Sequence, residues 1–183
     1  YSFAIKGLQV NKETILIVDD SEHNIDILVE LLSDYEVLVA TEAEVALTLL
    51  NENQVDLILL DIMMPKMDGF ELCSHIKSNA QTKDIPLLFI TAKTDEESIE
   101  KGYDLGAVDY ITKPISPPVV LARVKAHIEL KLARHELEEK NNRLEDINQQ
   151  LTTSMDQLSA SEERFRNLVQ TIPDIVYKID YEG

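Results

Sequence analysis

Apolar residues come in short runs, separated by stretches in which they recur every three or four positions. Ile15-Leu16-Ile17-Val18 predicts a buried strand rich in β-branched residues. Ile25, Leu28, Val29 and Leu32 follow at helical spacing, with Ser21 placed to cap the helix. Val37-Leu38-Val39 predicts a second strand, and Ala43, Ala46, Leu47 and Leu50 a second helix with Thr41 as its cap. Val55 to Leu60, interrupted by Asp56, predicts the third strand, and Leu72, Cys73 and Ile76 a helix after Asp68-Gly69. Leu87 to Ile90 reads as the fourth strand, Ile99, Gly102, Tyr103 and Gly106 as a fourth helical stripe, and Val108 to Ile111 as the fifth strand. Five buried strands alternating with helices predict an α/β domain: a parallel sheet covered on both faces and joined by right-handed crossovers. Residues 1–13 carry no clear period and read as an N-terminal arm.

The pattern then changes. From Val119 to Ile172 there is neither Gly nor Pro over 54 residues, a helix of about 80 Å at 1.5 Å per residue. Val120, Leu121, Val124 and Ile128 suit packing on the sheet. A column at spacing seven follows: Leu130, Leu137, Leu144, Leu151, Leu158 and Phe165. Such a column predicts a coiled coil over 129–168. With the leucines at d, position a holds His127, Arg134, Asn141, Asn148, Met155 and Glu162. With the leucines at a, Ile147 and Leu168 fall at d. Asn at a favours a parallel two-stranded register, so a parallel homodimer is expected under either frame. The rival, a helix folded back on its own domain, lacks anything to cover so long a seam.

Composition narrows the function. The 183 residues carry 17 basic and 34 acidic side chains, a net charge of −17. Residues 1–118 hold 8 Lys/Arg against 22 Asp/Glu, a net of −14, while 119–170 hold 8 against 9. A basic surface is what nonspecific nucleic-acid binding and anionic lipid require, so both roles are disfavoured. No run is long enough to span a bilayer, and one cysteine, Cys73, excludes an intrachain disulfide framework. A reducing, cytoplasmic setting fits. A start at Tyr1 and an end at Gly183 suggest a piece of a longer protein.

The chemistry gathers at predicted strand ends. The first strand ends in Asp19-Asp20, the third in Asp61 and the fourth in Thr91, and Lys113-Pro114 follows the fifth. A parallel sheet brings these to one edge, where such folds bind ligands. At about 5 Å and an effective dielectric near 20, each carboxylate pair costs roughly 3 kcal/mol. A hard divalent cation relieves this, and magnesium suits carboxylates, waters and a phosphoryl group. Lys113 adds a cation for an anion and Thr91 a hydroxyl donor. The set suits a carboxylate acting as nucleophile toward a phosphoryl group.

These residues carry a resemblance. Ile17-Val18-Asp19-Asp20-Ser21, Leu60-Asp61-Ile62-Met63-Met64-Pro65-Lys66-Met67-Asp68-Gly69, Ile90-Thr91-Ala92 and Asp109-Tyr110-Ile111-Thr112-Lys113-Pro114 occur in order. Residues 14–128 resemble the receiver domain of two-component response regulators. The resemblance implies a flavodoxin-like, doubly wound five-stranded parallel sheet in the order 2-1-3-4-5. It implies Asp61 as acceptor of a phosphoryl group from a histidine kinase or phosphotransfer protein. It implies Mg2+ held by Asp20, Asp61 and the Met63 backbone carbonyl, with Asp19 acting through a bound water. Lys113 would pair with phosphoryl oxygens, and Thr91 and Tyr110 would rearrange together. Met63 and Lys93 stand where the family tunes dephosphorylation. Residues 161–180 resemble the opening of a PAS domain, its entry helix and first strand, so that 169–183 would begin a further domain and an output in cis.

Two rival functions are weighed beside this. An Asp-nucleophile phosphatase of the haloacid-dehalogenase kind needs a second acid two residues after the nucleophile, where Met63 stands. A phosphorylation-independent dimerisation scaffold would leave the five-residue set without a purpose. Cys73 and the methionines read as packing residues, and His135-Glu136 as a solvated helix pair. The expected chain is a non-enzymatic signalling module.

Overall fold

A computed structural model describes residues 12–92 and 96–181, with side chains as far as Val169. The N-terminal arm and Lys93 therefore lie outside the described residues, apart from Lys12 and Glu13. The strands are β1 (Thr14–Val18), β2 (Glu36–Ala40), β3 (Leu57–Asp61), β4 (Leu87–Thr91) and β5 (Asp109–Thr112). Between and after them run α1 (Glu22–Leu31), α2 (Ala43–Glu52), α3 (Gly69–Ser78), α4 (Glu96–Asp104) and α5 (Pro117–Tyr181). All neighbouring strands are parallel, in the order β2-β1-β3-β4-β5. The expected flavodoxin-like topology is present.

Alternation along the strands builds two cores. Leu16, Val18, Ile58, Leu60, Leu87 and Phe89 face one side, where Ala46, Leu50, Leu72 and Ile76 of α2 and α3 cover them. Ile15, Ile17, Leu57, Leu59, Leu88 and Ile90 face the other, under Ile25 and Leu28 of α1 and Val120, Val124 and Ile128 of α5. β3 and β4 are buried throughout because both faces are covered.

Some local expectations shift. Ser21 caps α1, accepting from the Asn24 N–H. Thr41 does not cap α2; Glu42 stands there without a side-chain cap bond, because its carboxylate takes Lys66 Nζ at 2.8 Å instead. β3 begins at Leu57 rather than Val55, since Asp56 accepts the Thr14 N–H at 2.8 Å and pairs with Lys131. α5 is helical through Tyr181, where the first PAS strand was expected. A strand needs a neighbour for its backbone groups, and among the described residues none lies beyond β5. Side chains beyond Val169 lie outside the described residues.

The chain divides into two units at Leu132–Ala133. The first contains the sheet. In the second, every residue with a described side chain is exposed, including the leucine column.

Candidate functional site

Strand register explains the site. Val18 pairs with Leu60, so the next residues, Asp19 just past β1 and Asp61 at the end of β3, stand side by side at the sheet's carboxyl edge. Asp20 follows, and the three carboxylates each offer an oxygen within 4.8 Å of the others. Asp19 and Asp61 are buried and Asp20 is exposed. Lys113 reaches them from beyond β5, its Nζ 2.8 Å from Asp61 Oδ2 and 3.0 Å from Asp19 Oδ2. Its backbone N–H donates to the Thr91 carbonyl at 2.8 Å, tying the β5 end to the β4 end. The Lys113–Pro114 peptide is cis.

Asp19 is held from several sides. It accepts from the Ser21 N–H at 2.9 Å and from Asn24 Nδ2 at 3.0 Å on each oxygen. Asp61 accepts the Met63 N–H at 3.3 Å through its other oxygen. Burial lifts the Asp61 carboxyl above its ordinary value; the Lys113 hydrogen bond opposes this and the Asp19 charge adds to it. Burial by itself would lower the Lys113 ammonium, but its bonds to Asp61 and Asp19 outweigh it and hold the group protonated.

A close approach fixes the loop after β3. Gly69 opens α3 with its N–H on the Ile62 carbonyl at 2.9 Å. A Cβ there would run into the Asp61 carbonyl and lie 2.8 Å from Ile62 Cα, so only glycine fits. Asp68 caps the helix through the Glu71 N–H. Lys66 takes φ 70° in the same loop, a left-handed conformation uncommon outside glycine. The Met63 side chain is 58% exposed.

Thr91 is buried at the end of β4, whereas Tyr110 is half-buried on the edge strand β5. Both line a solvent-open cleft with Ile62, Ile99 and Tyr103. Tyr110 meets Tyr103 edge-on at 6.2 Å, and the Arg123 guanidinium lies 5.7 Å from its ring. The sequence reading missed what holds this corner. Asp109 pairs with Arg123 and lies 3.2 Å from His127 Nε2, both on α5. Burial would raise the Asp109 carboxyl, but the Tyr110 N–H, Arg123 and His127 outweigh it and bring it below its ordinary value. Asn24 was missed too, although a polar residue in the first turn after Asp19 is a usable signal. Asp109 and Arg123 are 14 residues apart on different elements, so no spacing rule joins them.

The structure thus brings together Asp19, Asp20, Asp61 and Lys113, with Thr91 and Met63 beside them. Three hard oxygen donors against one ammonium fit a hard divalent cation better than a soft one. The seam residues Leu130, Leu137, Asn141, Leu144, Asn148, Leu151, Met155, Leu158 and Phe165 are all exposed on α5.

Comparison with known proteins agrees with this geometry. The response regulator receiver domain family matches residues 15–125. A probable cyclic di-GMP phosphodiesterase of Vibrio cholerae is 43% identical over 130 residues, covering 70% of this chain and 30% of the relative. The alkaline phosphatase synthesis regulatory protein PhoP of Bacillus subtilis is 42% identical, covering 73% of this chain and 55% of that protein. Among solved structures, chemotaxis protein CheY4 of Vibrio cholerae superposes with a TM-score of 0.61 at 31% identity, over 63% of this chain and 98% of CheY4. The chain belongs to the response regulator receiver domain family, whose members serve phosphorelay signalling and bind Mg2+ at an acidic pocket of this kind. It spans roughly a third to a half of the length of these curated relatives. No described helix is long and apolar enough to cross a membrane.

Proposed function

We propose that Asp61 is the phosphoacceptor of a phosphorelay and that its phosphorylation controls an output in cis through paired α5 helices. The observation that carries this is the placement of a buried Asp61 between Lys113 and a carboxylate cluster at the sheet edge. An Asp61 oxygen attacks the phosphorus of a phosphohistidine or acyl phosphate. The new O–P bond forms as the bond to the imidazole nitrogen or acyl oxygen breaks, and the leaving group takes the electron pair. Lys113 neutralises charge on the phosphoryl oxygens, as a fixed cation does for a developing anion. Asp20, Asp61 and the Met63 carbonyl would hold Mg2+, with Asp19 bonding a coordinated water. When bound, the ion supplies charge neutralisation for the phosphoryl group. Thr91 and Tyr110 answer the new charge, and the corner where Arg123 meets Tyr110 and Asp109 links that answer to α5.

The partners follow from this reading. A histidine kinase or phosphotransfer protein supplies the phosphoryl group. A second copy of the chain pairs along residues 129–168 in parallel, and residues 169–183 lead into a PAS domain and an output. Met63 at the second position after Asp61 leaves a phosphatase without its acid, which disfavours that alternative. Intact mass after incubation with magnesium and acetyl phosphate tests the proposal. The expected result is labile gain of one phosphoryl group, absent in Asp61→Asn. No gain under conditions that label another receiver would sink the phosphoswitch and leave the dimerisation scaffold.

A further inference from the structure

The seam on α5 has apolar residues on both sides of its leucine column. Leu137, Leu144, Leu151 and Leu158 are each more than half exposed. On one flank stand Met155 and Val169, in line with Asn141 and Asn148; on the other stand Ile147 and Leu168. We infer that this surface pairs with a second, parallel copy in two alternative registers of similar stability, related by rotation of each helix about its own axis. The inference rests on the dimer reading above and deepens it.

The occupant follows from the sequence of the seam. A parallel copy sets each leucine against itself, so the whole column is covered without a gap. In the first register the leucines are d and the a positions along the coil are Arg134, Asn141, Asn148, Met155 and Glu162, with Val169 next. Lys140 at g then faces Glu145 at e of the second copy, an attractive pair. In the second register the leucines are a, and Ile147 and Leu168 enter at d. Glu136 and Arg143 at g then face Asn141 and Asn148 at e of the second copy, with no like charges opposed between g and e.

Each register gains two large apolar side chains and carries a penalty. The first places Arg134 and Glu162 each against itself; the second places Lys140 against itself and leaves Ala133, Ser154 and Ser161 at d. Lys140 already bonds Glu136 one turn earlier, at 2.6 Å, and its long stem can carry the charge outward. The registers differ by about 50° of rotation, the angle between a and d about a shared leucine. Two packings of one sequence separated by a small rotation are what a switch element requires.

Cysteine cross-linking of the full chain distinguishes the registers. Asn148→Cys and Met155→Cys report the first, and Ile147→Cys and Ser154→Cys the second. Cys73 does not compete: it is fully buried, and burial pushes its thiol up to about 11. The expected result is cross-linking of both sets at rates within about tenfold. Adding Met155→Ser to the Ile147→Cys and Asn148→Cys chains should shift the balance at least fivefold toward Ile147→Cys. Dimers cross-linking in only one set, or a balance unmoved by Met155→Ser, would overturn the inference and leave the dimer standing. Sedimentation as a monomer with no cross-link in either set would remove the dimer reading and the inference with it.

Discussion

Residues 14–128 and residues 133–169 both place apolar residues at regular spacing, with opposite results. In the first stretch alternate strand residues disappear into two cores, and Leu16, Leu28, Ile58 and Leu88 are fully buried. In the second, leucines at regular spacing remain 57–62% exposed. The difference lies in what each pattern can satisfy within one chain. A strand–helix repeat brings its own covering helices, so burial is intramolecular. A heptad column has only one face, and burying it requires another helix. The first unit's stability is therefore its own, while under the proposed pairing the second's depends on concentration.

The sharpest way to break the comparison is at the seam. In the proposed dimer, Leu151→Asp places a charge against its own copy. It should weaken dimerisation about a thousandfold, or about 4 kcal/mol, by sedimentation equilibrium. The sheet unit's denaturant midpoint should not move. A parallel fall in that midpoint would show that the two units are not independent. Gly69→Ala does the reverse. Its methyl meets the Asp61 and Ile62 backbone, which cannot yield as a side-chain end can. The sheet unit should lose about 3 kcal/mol, with dimer affinity unchanged.

The legibility of the sequence divides along the same line. Strands and helices of the first unit could be read because short apolar runs alternate through it with stripes of period 3.6. The site could be read because Asp19, Asp20, Asp61, Thr91 and Lys113 follow predicted strands directly. Interactions across elements left no such trace: Asp109 with Arg123 and His127, or Asp56 with Thr14 and Lys131. These partners are joined by the fold alone. Thr41 gave way to Glu42 at the α2 cap because propensity is local while Lys66, 24 residues away, is not. In α5 the period marks a column of exposed leucines but leaves its frame open, since residues on both flanks of the leucines are apolar.

A smaller effect separates structural from chemical charge in the sheet unit. Asp109 is held below its ordinary value of 3.8 against the cost of burial, by the Tyr110 N–H, Arg123 and His127. Its contribution is therefore present above pH 3.8 and lost as pH falls through the lower folded value. Asp109→Asn should cost about 2 kcal/mol at pH 7, measured by urea unfolding. The gap from the parent chain should narrow below pH 4. Equal stability at pH 7 would remove the corner from the account of how α5 is held.

Asp61→Asn should act with the opposite sign and be smaller still. Burial raises the Asp61 carboxyl, and Lys113 only partly offsets it. Between its ordinary value of 3.8 and the higher folded value, the native state holds a proton that the unfolded chain has released. Stability thus declines as pH rises through that window and stays reduced above it. The neutral amide removes this cost and the repulsion from Asp19. Lys113 keeps Asp19 at 3.0 Å as its partner. The variant should gain about 1 kcal/mol at pH 7, within the range usual for single stabilising substitutions. The gain should shrink as pH is lowered toward 4, in urea midpoints taken across pH 4–8. A loss of stability at pH 7 would mean that the 2.8 Å bond to Lys113 outweighs burial, and that Asp61 is held as much for structure as for phosphoryl chemistry. A gain confined to the sheet unit, with dimer affinity unchanged, would place the cost of the reactive carboxylate entirely where the chemistry is.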